Sequence, residues 1–170
     1  SAVVAIGTIA DVAPLIDENR VLVSFGLDRL RAHPTPGLQA LLEVSRQAPE
    51  NLTARGVAFC IAPRVNAAGR MGEAELALQL LLEPAPEQAV ERAKRLDCEN
   101  SARQKLCQTI QEEARQAALA SGDPAEDGVI VVAGDGWHEG VIGIVAGRLV
   151  EEFGCPALVI ALPPGEERGK

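Results

Sequence analysis

Apolar and polar residues recur along most of this chain with helical period, and the exceptions divide it into stretches of different character. Residues 1 to 15 are almost wholly apolar, carry the single charge Asp11 and close around Pro14, so they read as one buried strand or helix that periodicity alone does not decide. After the polar turn IDENR, Val21, Leu22, Phe25 and Leu30 fall at helix-compatible spacing until His33-Pro34-Thr35-Pro36-Gly37 breaks the pattern. Residues 38 to 44 form another short amphipathic helix. Thr53 is placed to N-cap a helix running to about residue 61, with Pro63 as its stop. The following APRVNAAGRMG reads as a Gly-bearing loop, and residues 73 to 82 as a helix ending before Pro84.

From Pro86 neither Gly nor Pro interrupts the chain until Gly122. Ala89, Ala93, Leu96, Asn100, Arg103, Cys107, Ile110, Ala114 and Ala117 recur at steps of four and three, which predicts the seam of one helix roughly 50 Å long. A helix of that length between unlike segments acts as a connector. Its polar seam residues Asn100 and Arg103 suit either contact with a polar surface or the edge of a bundle. Beyond it, GVIVVAG at 128 to 134 reads as a strand, 141 to 153 as a helix ended by Gly154, and 157 to 162 as a second strand. That order is a βαβ unit with parallel strands. One helix cannot cover both faces of its sheet, so the chain reads as cut inside a domain, in the terminal PPGEERGK.

Composition narrows the classes. The 170 residues are 47% hydrophobic and 24% charged, an ordinary globular balance, and no apolar run is long enough to cross a membrane. Cys60, Cys98, Cys107 and Cys155 show no C-x-x-C spacing and read as small buried thiols of a reducing, cytoplasmic compartment. The net charge of -8 argues against nucleic-acid binding by bulk electrostatics. Most of that acidity lies in residues 122 to 170, with 9 acids and 3 bases, whereas residues 51 to 72 contain no acid and three arginines. Any nucleic-acid contact is therefore local.

Three groups of residues carry possible chemistry. Asp11 is a carboxylate in an apolar run, which suits a hard divalent cation or the start of a helix near Pro14. Arg64, Asn66 and Arg70 stand among small residues, where guanidinium forks would grip phosphate or pair with neighbouring acids. In Gly134-Asp135-Gly136-Trp137-His138-Glu139-Gly140, a strand-to-helix turn offers backbone N–H groups, Trp137 for stacking and His138 for proton transfer or phosphate contact. The same turn would also serve as a tight loop whose Trp packs on the helix.

In order, GTIADVAPL, ENRVLVSFGL, PRVNAAGRMG, LDCENSARQ and GDGWHEGVIGIVAGRLVEEF resemble the middle of RecJ-type single-strand-specific 5′-to-3′ exonucleases of the DHH phosphoesterase superfamily. The resemblance implies an α/β fold in three parts: the C-terminal part of a DHH catalytic domain (1–84), an interdomain connecting helix (85–121), and the opening βαβ unit of the DHH-associated substrate-binding domain (122–170). It makes Asp11 the last metal-binding aspartate of a two-metal Mn2+ or Mg2+ centre. It makes Arg64, Asn66, Arg70 and Trp137 substrate-binding residues, or structural ones near the active site, and His138 a catalytic group lining the DNA path. It further implies a hydrolase that releases mononucleotides from single-stranded DNA with a 5′ end in DNA recombination and repair, in the cytoplasm, alongside a single-strand-binding protein and a helicase. The family's other metal ligands, its Asp-His-His triplet, its Gly-Ser-x-Arg-Ser motif and its OB-fold region are absent, so the chain alone is expected to be inactive. Two other readings are a non-catalytic DHH-derived replication scaffold and a phosphoesterase for short oligonucleotides or cyclic dinucleotides.

Overall fold

The computed structural model describes residues 2–122 and 124–162; the terminal PPGEERGK lies outside the described residues. It divides into two compact units, residues 1–101 and 102–170. The first is helical. The apolar start of the chain resolves as helix α1 (Ala2–Ala10), which packs on α2 (Asp17–Ala32). IDENR is not a turn: Asp17 and Glu18 form the first turn of α2, where acids complement the helix dipole. The buried stripe of α2 is Val23, Gly26, Leu27 and Leu30, while Val21, Leu22 and Phe25 face outward.

Thr35 caps α3 (Pro36–Val44), whose Pro36 occupies a first-turn position that needs no N–H donor. Leu38, Leu41 and Leu42 of α3 meet Leu52, Ile61 and Leu80 in the core, each essentially inaccessible to solvent. Burying such a side chain stabilises the unit by about 2 kcal/mol, and truncation to Ala costs about 2–5 kcal/mol because a cavity adds to the lost transfer energy.

PRVNAAGR is helical, contrary to the loop expected from its Pro and Gly. Thr53 Oγ1 accepts from the Gly56 N–H at 3.1 Å and starts α4 (Ala54–Gly56), which runs through a π-helical turn (Val57–Ile61) directly into α5 (Ala62–Arg70). Pro63 would clash with a carbonyl one α-turn back and cannot donate to it. The widened turn ahead of it absorbs that conflict, so the proline is carried rather than ending the helix. The chain leaves α5 at Gly72, whose φ of +88° suits glycine, before α6 (Ala74–Leu82).

Helix α7 (Pro86–Ser121) has the predicted extent. Ala89, Ala93, Leu96 and Asn100 are buried in the first unit, and Cys107, Ile110 and Ala114 in the second, where Ala118 rather than Ala117 completes the seam. A short helix, α8 (Pro124–Asp127), precedes the sheet of the second unit. There β1 (Ile130–Asp135) pairs in parallel with β2 (Ala157–Leu162), in register from Ile130 opposite Ala157 to Asp135 opposite Leu162, across helix α9 (Glu139–Phe153). Ile130 and Val132 are buried against α9 and α7 residues while Val131 and Leu158 are exposed, so one sheet face is covered among the described residues. Arg115 binds Glu152 at 2.6 Å; the hydrogen bond and charge of Glu152 raise the already high guanidinium pKa, an exposed pair of little energetic weight. Of the cysteines only Cys107 and Cys155 are buried; Cys98 is exposed.

Candidate metal and nucleic-acid site

Asp11 is the C-cap of α1. The Ala13 N–H donates to the Thr8 carbonyl and the Val12 N–H to the Ile9 carbonyl, both at 3.1 Å, the paired bonds of a Schellman motif. That motif needs a left-handed residue at Val12, whose φ is +54°. Glycine is the usual occupant; a β-branched residue there costs about 1–2 kcal/mol. The strain fixes Asp11 at the carbonyl end of α1, where the helix dipole disfavours an anion by about 0.3–1 kcal/mol. Among the described residues no cation forms an ion pair with it.

Beside Asp11 lies a hollow of about 330 Å³, walled by Ile6, Gly7 and Ala10 of α1, Val65 of α5 and Leu81 of α6. Asn66 stands on the same rim. The structure thus brings together two residues picked from separate motifs, an anionic acceptor and an amide that both donates and accepts.

Arg64, two residues earlier, is bound into the protein. Its Nε donates to Asp97 Oδ1 of α7 at 2.7 Å, Nη1 to the Cys60 carbonyl at 2.5 Å and Nη2 to the Val44 carbonyl at 3.4 Å. Ser45 Oγ also donates to the Cys60 carbonyl, at 3.3 Å. With its side chain only 17% exposed, Arg64 ties α3, the π-helical turn and α7 around α5. Of the two roles expected for Arg64, this geometry supplies the structural one. Arg70 ends α5 in an exposed position.

On the outer surface of the same helical run, Phe59 is 72% exposed and the Arg55 guanidinium lies 5.8 Å from its ring centroid. Sequence reading passed over this pair. Its signal was the four-residue separation that places Arg55 and Phe59 on one helix face within the acid-free segment.

In the second unit Trp137 is 8% exposed and its indole Nε1–H donates to Glu113 Oε2 at 2.7 Å. A Cβ on Gly134 would fall 2.1 Å from the indole, so the glycine is required for the ring to lie against the strand. Trp137 is therefore a core residue of its turn rather than a stacking platform, because the ring that would meet a base is spent on protein contacts. His138 is the N-cap of α9: Nδ1 accepts from the Gly140 N–H at 3.0 Å. The cap requires a lone pair on Nδ1, which leaves Nε2–H as the donor of the neutral ring.

Asp11 offers a hard oxygen ligand at an anionic helix end, which fits part of a Mn2+ or Mg2+ site. It does not fit a whole one: among the described residues no group of three or more His, Cys, Asp or Glu is placed to hold an ion.

No protein-family model matches the chain. The single-stranded-DNA-specific exonuclease RecJ of Bacillus subtilis (strain 168) is 41% identical over 165 residues, covering 97% of this chain and 20% of that protein. The Escherichia coli (strain K12) protein of the same name is 38% identical over 167 residues, 96% of this chain and 29% of its own length. The crystal structure of RecJ from Thermus thermophilus in complex with Mg2+ superposes with a TM-score of 0.82 at 41% identity, over 92% of this chain and 24% of that one. An exonuclease RecJ bound to manganese gives 0.79 at 42% identity, over 95% and 39%. The chain spans less than a third of the length of the curated relatives it matches. Identity of 38 to 41% along nearly the whole chain, on a shared backbone, makes this a RecJ-type sequence corresponding to one part of those longer proteins.

Proposed function

We propose that this chain forms part of a metal-dependent exonuclease that hydrolyses single-stranded DNA from the 5′ end to mononucleotides, in recombination and repair. The observation that carries the reading is the shared rim of Asp11 and Asn66 beside one hollow. In it, Asp11 contributes one ligand to a Mn2+ or Mg2+ centre whose remaining ligands lie outside this sequence. Bound metal of this kind activates water and offsets phosphodiester charge. Asn66 orients the terminal nucleotide by its amide, and Arg70 holds a phosphate. Arg64 keeps α5 in place so that Asn66 stays opposite Asp11. In the second unit, His138 presents Nε2–H to a phosphate of the strand. Among the described residues no helix is long and apolar enough to cross a membrane. A cytoplasmic site of action beside a single-strand-binding protein and a helicase completes the proposal.

The test is Mn2+-dependent release of mononucleotides from 5′-phosphorylated single-stranded DNA. A full-length RecJ-type polypeptide carrying this sequence is expected to be active and the 170-residue chain inactive. Robust hydrolysis by the chain alone, or none by the full-length protein, overturns the proposal. Long strands should be cut in preference to dinucleotides; the reverse preference assigns a small-oligonucleotide phosphoesterase.

A further inference from the structure

We infer that Phe59 and Arg55 form a stacking platform for a nucleobase of single-stranded DNA, on the same helical run that carries Asn66; this rests on the nuclease reading above. Four aromatics are available in the whole chain. Trp137 is buried and hydrogen-bonded and Phe153 packs against the core of the second unit, so neither serves. Phe25 is as exposed as Phe59, but it sits on α2 beside the exposed Val21 and Leu22, and among the described residues no guanidinium lies over its ring. Phe59 differs in both respects. Its ring lies under a guanidinium, and of the three arginines in the acid-free residues 51 to 72 two, Arg55 and Arg70, are exposed.

The Phe59 ring is left open to water and the core does not use it. A base covers such a ring without sequence preference, because every base has a π face, while the neighbouring guanidinium meets the backbone charge. The placement suits a strand whose end is held at Asp11. The exposed residues of the run from α4 to α5 are Arg55, Phe59, Asn66, Gly69 and Arg70, spaced along one helical surface. Phe59 stands about 10 Å along the helix from Asn66, a step of one to two nucleotides. The platform would hold a base just inside the terminus while Asn66 meets the terminal nucleotide.

The experiment titrates a full-length RecJ-type polypeptide carrying this sequence, with divalent metal withheld by EDTA so that the strand stays intact, into a fluorescently labelled ten-nucleotide thymidine strand at low salt and follows anisotropy. Phe59→Ala is expected to weaken binding about tenfold, and Phe59→Trp to restore it. Arg55→Ala is expected to weaken binding and to flatten the dependence of log affinity on log salt by about one unit. An abasic strand of the same length is expected to bind the unaltered chain and Phe59→Ala equally. The inference is overturned by Phe59→Ala binding as tightly as the parent, by Phe59→Trp remaining as weak as Phe59→Ala, by an abasic strand matching the thymidine strand, or by no binding at all. Thermal melting of each variant separates these results from unfolding, which an exposed side chain does not provoke. Hydrolysis is not read, so failure of the nuclease reading is scored separately, through Asp11.

Discussion

Asp11 and Asn66 face one hollow from two helices, the first as the C-cap of α1 and the second in the middle of α5. Nothing in their sequence separation requires this. It follows from a continuous helical segment, carried through a π-helical turn ahead of Pro63, that lays α5 against α1. The carboxylate is held where the dipole of α1 disfavours it, by a left-handed valine that is itself strained. Such an arrangement is maintained at a cost and gains most when a cation arrives.

Relieving the strain should stabilise the chain. Val12→Gly removes the left-handed penalty without touching Asp11, and chemical denaturation is expected to show a gain of about 1 kcal/mol. A loss would mean that the exposed valine packs on something the turn geometry does not explain.

Arg64 and Arg70 should separate. Arg64→Ala leaves the Cys60 and Val44 carbonyls and Asp97 without their guanidinium, and unfolding free energy should fall by about 2 kcal/mol, with little rescue by Arg64→Lys because a single ammonium cannot span three partners. The salt dependence of DNA binding should be unchanged. Arg70→Ala should instead flatten the salt dependence by about one phosphate contact. A flattened slope for Arg64→Ala would return that residue to the phosphate.

Trp137 is the only tryptophan, so its fluorescence reports the second unit directly. Gly134→Ala should cost about 1–3 kcal/mol by driving the indole off the strand. Trp137→Phe should cost about 1 kcal/mol through the lost bond to Glu113. Single-stranded DNA should leave the indole emission unquenched; strong quenching would show a base stacking on a ring that the fold has to release first.

For His138 the informative pair is Asn and Ala. Asparagine keeps the cap on α9, so stability should stay within about 0.5 kcal/mol, whereas Ala should cost about 1 kcal/mol. If Nε2–H meets a phosphate, Asn should still weaken DNA binding several-fold. Equal binding by His138→Asn and the parent would reduce the residue to a cap.

Much of the architecture was legible because it rests on long-range periodicity. The unbroken stretch from Pro86 to Ser121 left only a helix, and β-branched runs at either side of Val141 to Phe153 left only strands. What misled was punctuation. Pro63 reads as a stop, yet a π-helical turn accommodates it, and Gly69 reads as a loop residue although it lies within α5. On α2 the apolar residues outnumber the positions the core uses, so spacing alone could not tell the buried Val23 from the exposed Phe25. At the site, residue type singled out Asp11 and Asn66, and only the packing of α5 on α1 brings them to one rim. Residue type could not distinguish an arginine that grips a ligand from one that grips Asp97, or a tryptophan that stacks from one that fills a turn, because those differences lie in tertiary partners.

The most direct measurement is turnover and DNA affinity of Asp11→Ala in a full-length RecJ-type polypeptide carrying this sequence. Loss of one metal ligand should abolish Mn2+-dependent release of mononucleotides while DNA binding, which depends on phosphate contacts elsewhere, stays within about twofold. Near-normal turnover by Asp11→Ala would contradict the ligand role and, with it, the placement of the catalytic metal beside α1.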